Sequence, residues 1–194
     1  MNELHAIIGL GNPGARYEAT RHNAGFWLLE ALARDCGVTL REQRKFLGSY
    51  ARVTLAGRDV HLLAPTTLMN HSGQSVGALC KFFKLSPEQL LVVHDELDLP
   101  PGAARFKQGG GHGGHNGLRD TIAALGNNRN FHRLRLGIGH PGSAAQVVNY
   151  VLSAPGKAER RAIDEAIGAA LEQLPLAVGG DWARAMNRLH SARD

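Results

Sequence analysis

Residues 4–10, Leu-His-Ala-Ile-Ile-Gly-Leu, form a short apolar run that stops at Gly11-Asn-Pro-Gly14. An apolar run of this length, bounded by turn residues, predicts a buried strand. Helical character returns only after His22, where Phe26, Leu29 and Ala33 recur at helical spacing. The chain must therefore hold a long loop open between its first strand and its first helix. In open α/β sheets the loops at the carboxyl ends of strands carry the chemistry. This one offers a proton acceptor, His22, and a neutral amide, Asn12, and His22 is the candidate catalytic base.

Strand-like and helical segments go on alternating. Asn23 is a reasonable N-cap for a helix over 23–36. Segments 48–55 and 60–63 flank Ala56-Gly-Arg-Asp59 and predict a hairpin, with Pro65 ending the second strand. A helix over 73–84 stops before Pro87, and Leu90-Leu-Val-Val93 is the continuous apolar run of a central strand. That strand gives way to His94-Asp-Glu-Leu-Asp98, a second cluster of polar groups at a strand end. A strand over 103–108, a helix over 116–125 and a strand over 134–138 follow, with Arg133 and Arg135 on one side. The remainder, 144–152, 158–174 and 182–190, is helical. The predicted fold class is α/β: a single domain over residues 1–194, built as a three-layer sandwich with a mixed, mostly parallel central sheet flanked by helices.

Composition narrows the partners. Between residues 105 and 135 there are six basic residues against one acid, Asp120, an excess as large as the net charge of +5. A basic field this concentrated points to a phosphate-bearing partner. Cys36 and Cys80 have neither metal-knuckle nor disulfide spacing, which fits a reducing compartment. No signal core and no membrane-length apolar run is present, so the expected location is cytoplasmic.

Two glycine patterns invite a nucleotide reading. Gly9-x-Gly11-x-x-Gly14 matches the dinucleotide fingerprint in letters, but Pro13 removes a backbone donor and no helix begins at once. Residues 109–117, Gly-Gly-Gly-His-Gly-Gly-His-Asn-Gly, lack the Gly-Lys-Ser/Thr ending of a phosphate loop. No cofactor is expected. His94, His112 and His115 form a possible zinc set, yet a glycine-rich loop does not fix ligand geometry, and the preferred reading has no metal.

That reading gathers Asn12, His22, Asn70 and Asp95 from four turns, with Asn116 as a fifth polar partner. Amides donate and accept at once, so they can hold a carbonyl and a water in fixed relation. A carboxylate on one imidazole nitrogen sets the tautomer and leaves the other nitrogen to take a proton. With no Ser or Cys nucleophile in these turns, the proton comes from water, and general-base hydrolysis follows.

The residues resemble those of the bacterial-type peptidyl-tRNA hydrolases. The matching pieces are Gly9-Leu-Gly-Asn-Pro-Gly14, Thr20-Arg-His-Asn-Ala-Gly25, Pro65-Thr-Thr-Leu-Met-Asn-His-Ser-Gly73, His94-Asp-Glu-Leu-Asp-Leu-Pro-Pro-Gly102, residues 109–118 and Phe131-His-Arg-Leu-Arg-Leu-Gly-Ile-Gly139. The resemblance implies a monomeric, metal-independent esterase that frees tRNA from a blocked peptide. It implies His22 as base, Asp95 as its supporting carboxylate and Asn12 as the group that tells peptidyl from free aminoacyl esters. Asn70 and Asn116 would bind substrate and position water, Tyr17 would meet the tRNA terminus, and Lys107 and Arg135 would clamp the tRNA 5′ phosphate. Leu68 stands where the family commonly has an aromatic residue, so an apolar contact replaces a stacking one. Relatives that keep the fold as RNA-binding partners make a non-catalytic RNA-binding module the alternative, with a zinc hydrolase as a third.

Overall fold

The computed structural model describes residues 3–191. In chain order the elements are β1 (Ala6–Gly9), α1 (Ala24–Asp35), β2 (Arg41–Gln43), β3 (Gly48–Leu55), β4 (Arg58–Pro65), α2 (Ser72–Phe83), β5 (Leu90–Glu96), β6 (Ala104–Gln108), α3 (Asn116–Ala124), β7 (His132–Gly137), α4 (Val147–Val151), α5 (Lys157–Val178) and α6 (Trp182–Ser191). The strands form one seven-stranded sheet in the order β2-β3-β4-β1-β5-β7-β6. β1 is parallel to β4 and β5, and β5 is parallel to β7. The outer pairs, β2 with β3, β3 with β4 and β6 with β7, are antiparallel. The sheet is mixed with a parallel centre, as the alternating sequence pattern predicts.

Alternation along the central strands builds the three layers. Ile7, Leu91 and Val93 face a core shared with Leu28 of α1, Ile167 of α5 and Ala185 of α6. Ile8, Leu90 and Val92 face a second core with Val76 and Leu79 of α2 and Leu118 of α3. Successive strand side chains point to opposite faces, so an unbroken apolar run is what a strand covered on both sides needs. Each such Leu or Ile, fully buried, is worth about 1.5–3 kcal/mol.

Three details differ from the sequence reading. β2 was not foreseen, because all three of its residues are exposed and it exists only through pairing with β3. The hairpin turn is tighter than predicted: Ala56 and Gly57 alone lie in the left-handed region, and Arg58 and Asp59 already belong to β4. Such two-residue turns match the twist of the strands they join. Finally, β5 does not stop at Val93 but carries His94 and Asp95 inside the sheet, both buried.

After β1 the chain moves off to build β2–β4 on one side, and β5 then returns on the other side of β1. The carboxyl ends of β1 and β5 therefore flank the point where connections diverge, the usual crevice of an open α/β sheet.

Candidate active site

At that crevice the start of α1 lies almost on the strands. A Cβ on Gly9 would collide with the carbonyl oxygen of Gly25, and one on Gly25 would sit 2.5 Å from the Val93 carbonyl oxygen and 2.6 Å from the Leu10 nitrogen. These two glycines serve the approach of helix to strand rather than a bound phosphate. A 3₁₀ turn at Arg21–Asn23 precedes α1 and presents His22.

Asn23 stands at the N-cap position of α1 but makes no capping bond. Its Oδ1 instead accepts the Asn12 backbone N–H at 2.9 Å, and its Nδ2 donates to the Asn12 carbonyl at 2.9 Å. The Asn12 side chain is fixed in turn: Oδ1 accepts the Met69 N–H at 2.7 Å. With the oxygen engaged, the amide nitrogen of Asn12 is the end left for the cleft, which Asn12 lines. Likewise Arg119 donates to Asn116 Oδ1 at 2.8 Å, leaving that amide's nitrogen as its donor.

Asp95 joins two imidazoles. His22 Nδ1 lies 2.9 Å from Asp95 Oδ2, and His115 Nε2 lies 2.8 Å from Oδ1. His115 Nδ1 accepts the backbone N–H groups of Gly117 and Leu118, at 3.1 and 3.3 Å. That nitrogen carries no proton, so Nε2 is the N–H that donates to Asp95. For His22, an ionised Asp95 fixes the proton on Nδ1 and leaves Nε2 as a basic lone pair in the cleft. Burial opposes protonation of His22, but the charge of Asp95 and its hydrogen bond outweigh it, so the His22 pKa is raised above its ordinary value. Asp95 is itself buried, which disfavours its charge, yet the two imidazoles hold its carboxyl far below the usual range.

The cleft encloses about 620 Å³ and is lined by every residue the sequence singled out: Asn12, Tyr17, His22, Leu68, Asn70, Asp95, Lys107, Asn116 and Arg135. The register of β6 and β7 sets Lys107 beside Arg133 and Arg105 beside Arg135, so the four cations lie on one face. Arg133 differs from the other three. It is buried and donates to the carbonyls of Gly110 and Gly111, at 2.5 Å each, tying the glycine loop to β7.

Sequence reasoning missed part of this site. Val147, Val148 and Val151 of α4 and Leu152 just after it line the cleft, where Val148, 65% exposed, adds to the apolar surface of Leu68, 51% exposed. The segment is held by Arg21, whose guanidinium donates to the Tyr150 carbonyl and to Ser153 Oγ, at 3.1 and 2.6 Å, and lies 3.9 Å from the Tyr150 ring centre. The available signal was a short helical segment with adjacent valines, of which Val148 stays exposed. His115, which the sequence offered as a possible zinc ligand, instead caps α3 and binds Asp95.

The proposed zinc set does not assemble. Among the described residues His94, His112 and His115 do not bring ligand atoms together, and both ring nitrogens of His115 are already in use. His22, Asp95 and His115 do bring ligand atoms within 4.8 Å of one another. Those atoms are the ones engaged in hydrogen bonds to each other, and His115 has both ring nitrogens in use, a poor donor set for a cation.

A strand-end crevice with an imidazole–carboxylate pair, amides and a basic margin defines a hydrolase-type α/β site. A model of the Peptidyl-tRNA hydrolase family matches residues 6–194, and the chain belongs to that family. It is 68% identical over 191 residues to the peptidyl-tRNA hydrolase of Chromohalobacter salexigens, covering 98% of both chains. It is 58% identical over 188 residues to that of Saccharophagus degradans, covering 97% of this chain and 95% of the other. Among solved structures, peptidyl-tRNA hydrolase from Acinetobacter baumannii superposes with a TM-score of 0.95 at 50% identity, covering 98% of this chain and 96% of that one. Among the described residues no helix is long and apolar enough to cross a membrane.

Proposed function

We propose that this chain, working as one domain over residues 1–194, hydrolyses the ester between a peptide or N-blocked aminoacyl group and the terminal ribose of tRNA. The observation that carries this reading is His22, held by Asp95 at 2.9 Å with its second nitrogen facing a cleft lined by amides. Water attacks the ester carbonyl while His22 Nε2 takes its proton, and Asp95 stabilises the imidazolium that forms. The same imidazolium then returns the proton to the departing ribose oxygen, so the base ends as it began. A positioned base contributes about 10²–10⁴ in rate. Asn12 Nδ2 is the donor for the peptide carbonyl, which a free aminoacyl ester lacks, while Asn70 and Asn116 hold the substrate and the water.

Tyr17 and Leu68 receive the end of the tRNA, and Lys107 and Arg135 hold its 5′ phosphate. The substrate is a product of translation, which places the activity in the cytoplasm, and a single cleft with all its groups from one chain suits a monomer. Release of N-acetylaminoacyl groups from tRNA tests the reading. Wild type should turn over and His22→Ala should not, although it still binds tRNA; turnover by His22→Ala removes His22 as base. Replacing Lys107 and Arg135 together with Ala should weaken binding and flatten its salt dependence by about two phosphate contacts. An unchanged salt slope takes the pair out of the clamp.

A further inference from the structure

We infer that His115 is a positioning residue for the base: besides capping α3, it locks the Asp95 carboxylate in place and moderates that carboxylate's hold on His22. The inference rests on the hydrolase reading above. The tautomer carries the first step. Because Nδ1 of His115 accepts two backbone N–H groups, Nε2 must be the donor to Asp95 Oδ1 at 2.8 Å. A carboxylate gripped at one oxygen can swing about its Cβ–Cγ bond. Asp95 is gripped at both, by donors from two different elements, and its plane is fixed.

The anchor matters because of what precedes it. Gly109, Gly110, Gly113 and Gly114 all have positive φ, so the loop leading to His115 adopts a path that side chains would resist and has little stiffness of its own. His115 ties this loop and the first turn of α3, which bears Asn116, to β5. Gly117 leaves room for the arrangement: a Cβ there would lie 2.5 Å from Met69 Sδ and 3.0 Å from His115 Cε1. Met69 is also the residue whose N–H orients Asn12. The supports of three of the proposed site residues, Asn12, Asp95 and Asn116, therefore meet around one imidazole.

The electrostatic consequence follows from the same bond. Each N–H given to a carboxylate draws on its negative charge and leaves less to favour a neighbouring imidazolium. His115 thus makes His22 a weaker base than Asp95 alone would. The other groups facing the trio do not substitute for it. His94, on β5, has its ring 5.3 Å from that of His115 and stays neutral, since burial and the neighbouring His115 push its pKa down to about 3. Arg133, on β7, acts on His94 and is bonded to the glycine loop. Tyr17 and Asn12 reach the cleft from the loop after β1.

Two substitutions separate the roles of His115. In His115→Asn the side chain keeps a good capping acceptor but is too short to reach Asp95. In His115→Gln an amide nitrogen regains that reach. Turnover of N-acetylaminoacyl-tRNA is measured against pH, His22 is titrated by NMR in the full chain, and thermal unfolding checks the cap. His115→Asn should lose part of its thermal stability, since Asp95 Oδ1 loses its partner while the cap is kept, lose about tenfold in kcat with KM little changed, and show its acid limb and His22 titration moved up by about half a unit or more. His115→Gln should recover most of both. An unmoved His22 titration in His115→Asn, or wild-type kcat and pH profile in that variant, reduces His115 to a helix cap and overturns the inference. The titration needs no turnover, so a wild type that fails to cleave the ester would count against the hydrolase reading without touching this result.

Discussion

Asn23 occupies the N-cap position of α1, yet its amide bonds both backbone groups of Asn12 and none of the helix. The fold uses it to hold the loop that bears the proposed carbonyl donor. Asn23→Ala would leave a buried N–H and a buried carbonyl unpaired, at about 1–3 kcal/mol for each orphaned group. Urea unfolding should show that loss, and kcat should fall with it as Asn12 loosens; a variant with the wild-type midpoint and kcat would show that the loop holds itself. His22 gives the second prediction at this scale. Its pKa is raised, and the base works only when unprotonated, so kcat should decline as pH falls through a value above 6.5, the ordinary imidazole value. Measuring kcat across pH checks this, and an acid limb at or below 6.5 contradicts it. The residues legible in the sequence were those whose type announces a role at a strand end, such as Asn12, His22 and Asp95. His115 and Asn23 were misread because their roles depend on which atom of a side chain meets which backbone group, and spacing does not encode that.

Among the elements, α4 forms one wall of the cleft although it spans only five residues, Val147–Val151. A helix this short does not hold itself together. Arg21 supplies the missing support, through bonds to Tyr150 and Ser153, an ion pair with Glu159 at 3.3 Å and its stack on the Tyr150 ring. Arg21→Met keeps an apolar stem and loses those bonds. Hydrogen bonds from a charged donor are worth about 1.5–3 kcal/mol, so the wall should loosen and KM should rise about fivefold or more while kcat changes less. Steady-state kinetics decides the matter, and a KM equal to wild type means that α4 is held by its apolar packing alone. Elements that bury a periodic apolar face, from β1 and α1 through β5 and α5, could be read from the sequence within a few residues. β2 and the placement of α4 could not. Both depend on partners remote in sequence, β3 for one and Arg21 for the other; β2 carries no apolar pattern, and the helical periodicity of 144–152 does not say which wall the helix packs against.

At the scale of the whole molecule, buried histidines shape how the fold answers to acid, above all His132, away from the cleft, and His94, beside Asp95. His132 is 1% exposed, lies flat against Trp182 with ring centres 3.9 Å apart, and has no hydrogen bond at either ring nitrogen. Burial pushes its pKa down to about 4, against an opposing pull from Glu88. His94, its Nε2 likewise unpartnered, is pushed down to about 3 by burial and by His115. In the unfolded chain both take up a proton near pH 6.5, whereas in the fold they do so only below about pH 4. As pH falls from 6.5 the unfolded state binds protons first, so the stability contributed by these neutral rings is present above pH 6.5 and drains away down to about pH 4. His22 works the other way, since its raised pKa favours the fold when protonated, but it is one group against four, because burial also lowers the pKa of His61 and His190. The urea midpoint of the full chain should therefore drop steadily from neutral pH to about pH 5, in a range where most carboxylates remain ionised. His132→Phe removes one of the two rings and both orphaned nitrogens at nearly constant volume and keeps the stack on Trp182. It should match or exceed the wild-type midpoint at neutral pH, because unpaired buried polar atoms cost stability, and its midpoint should fall less steeply with acid. Parallel slopes for the two proteins would mean that His132 is not a source of the acid sensitivity, and the loss would then belong to the other lowered histidines, His94, His61 and His190, and to the cluster around Asp95.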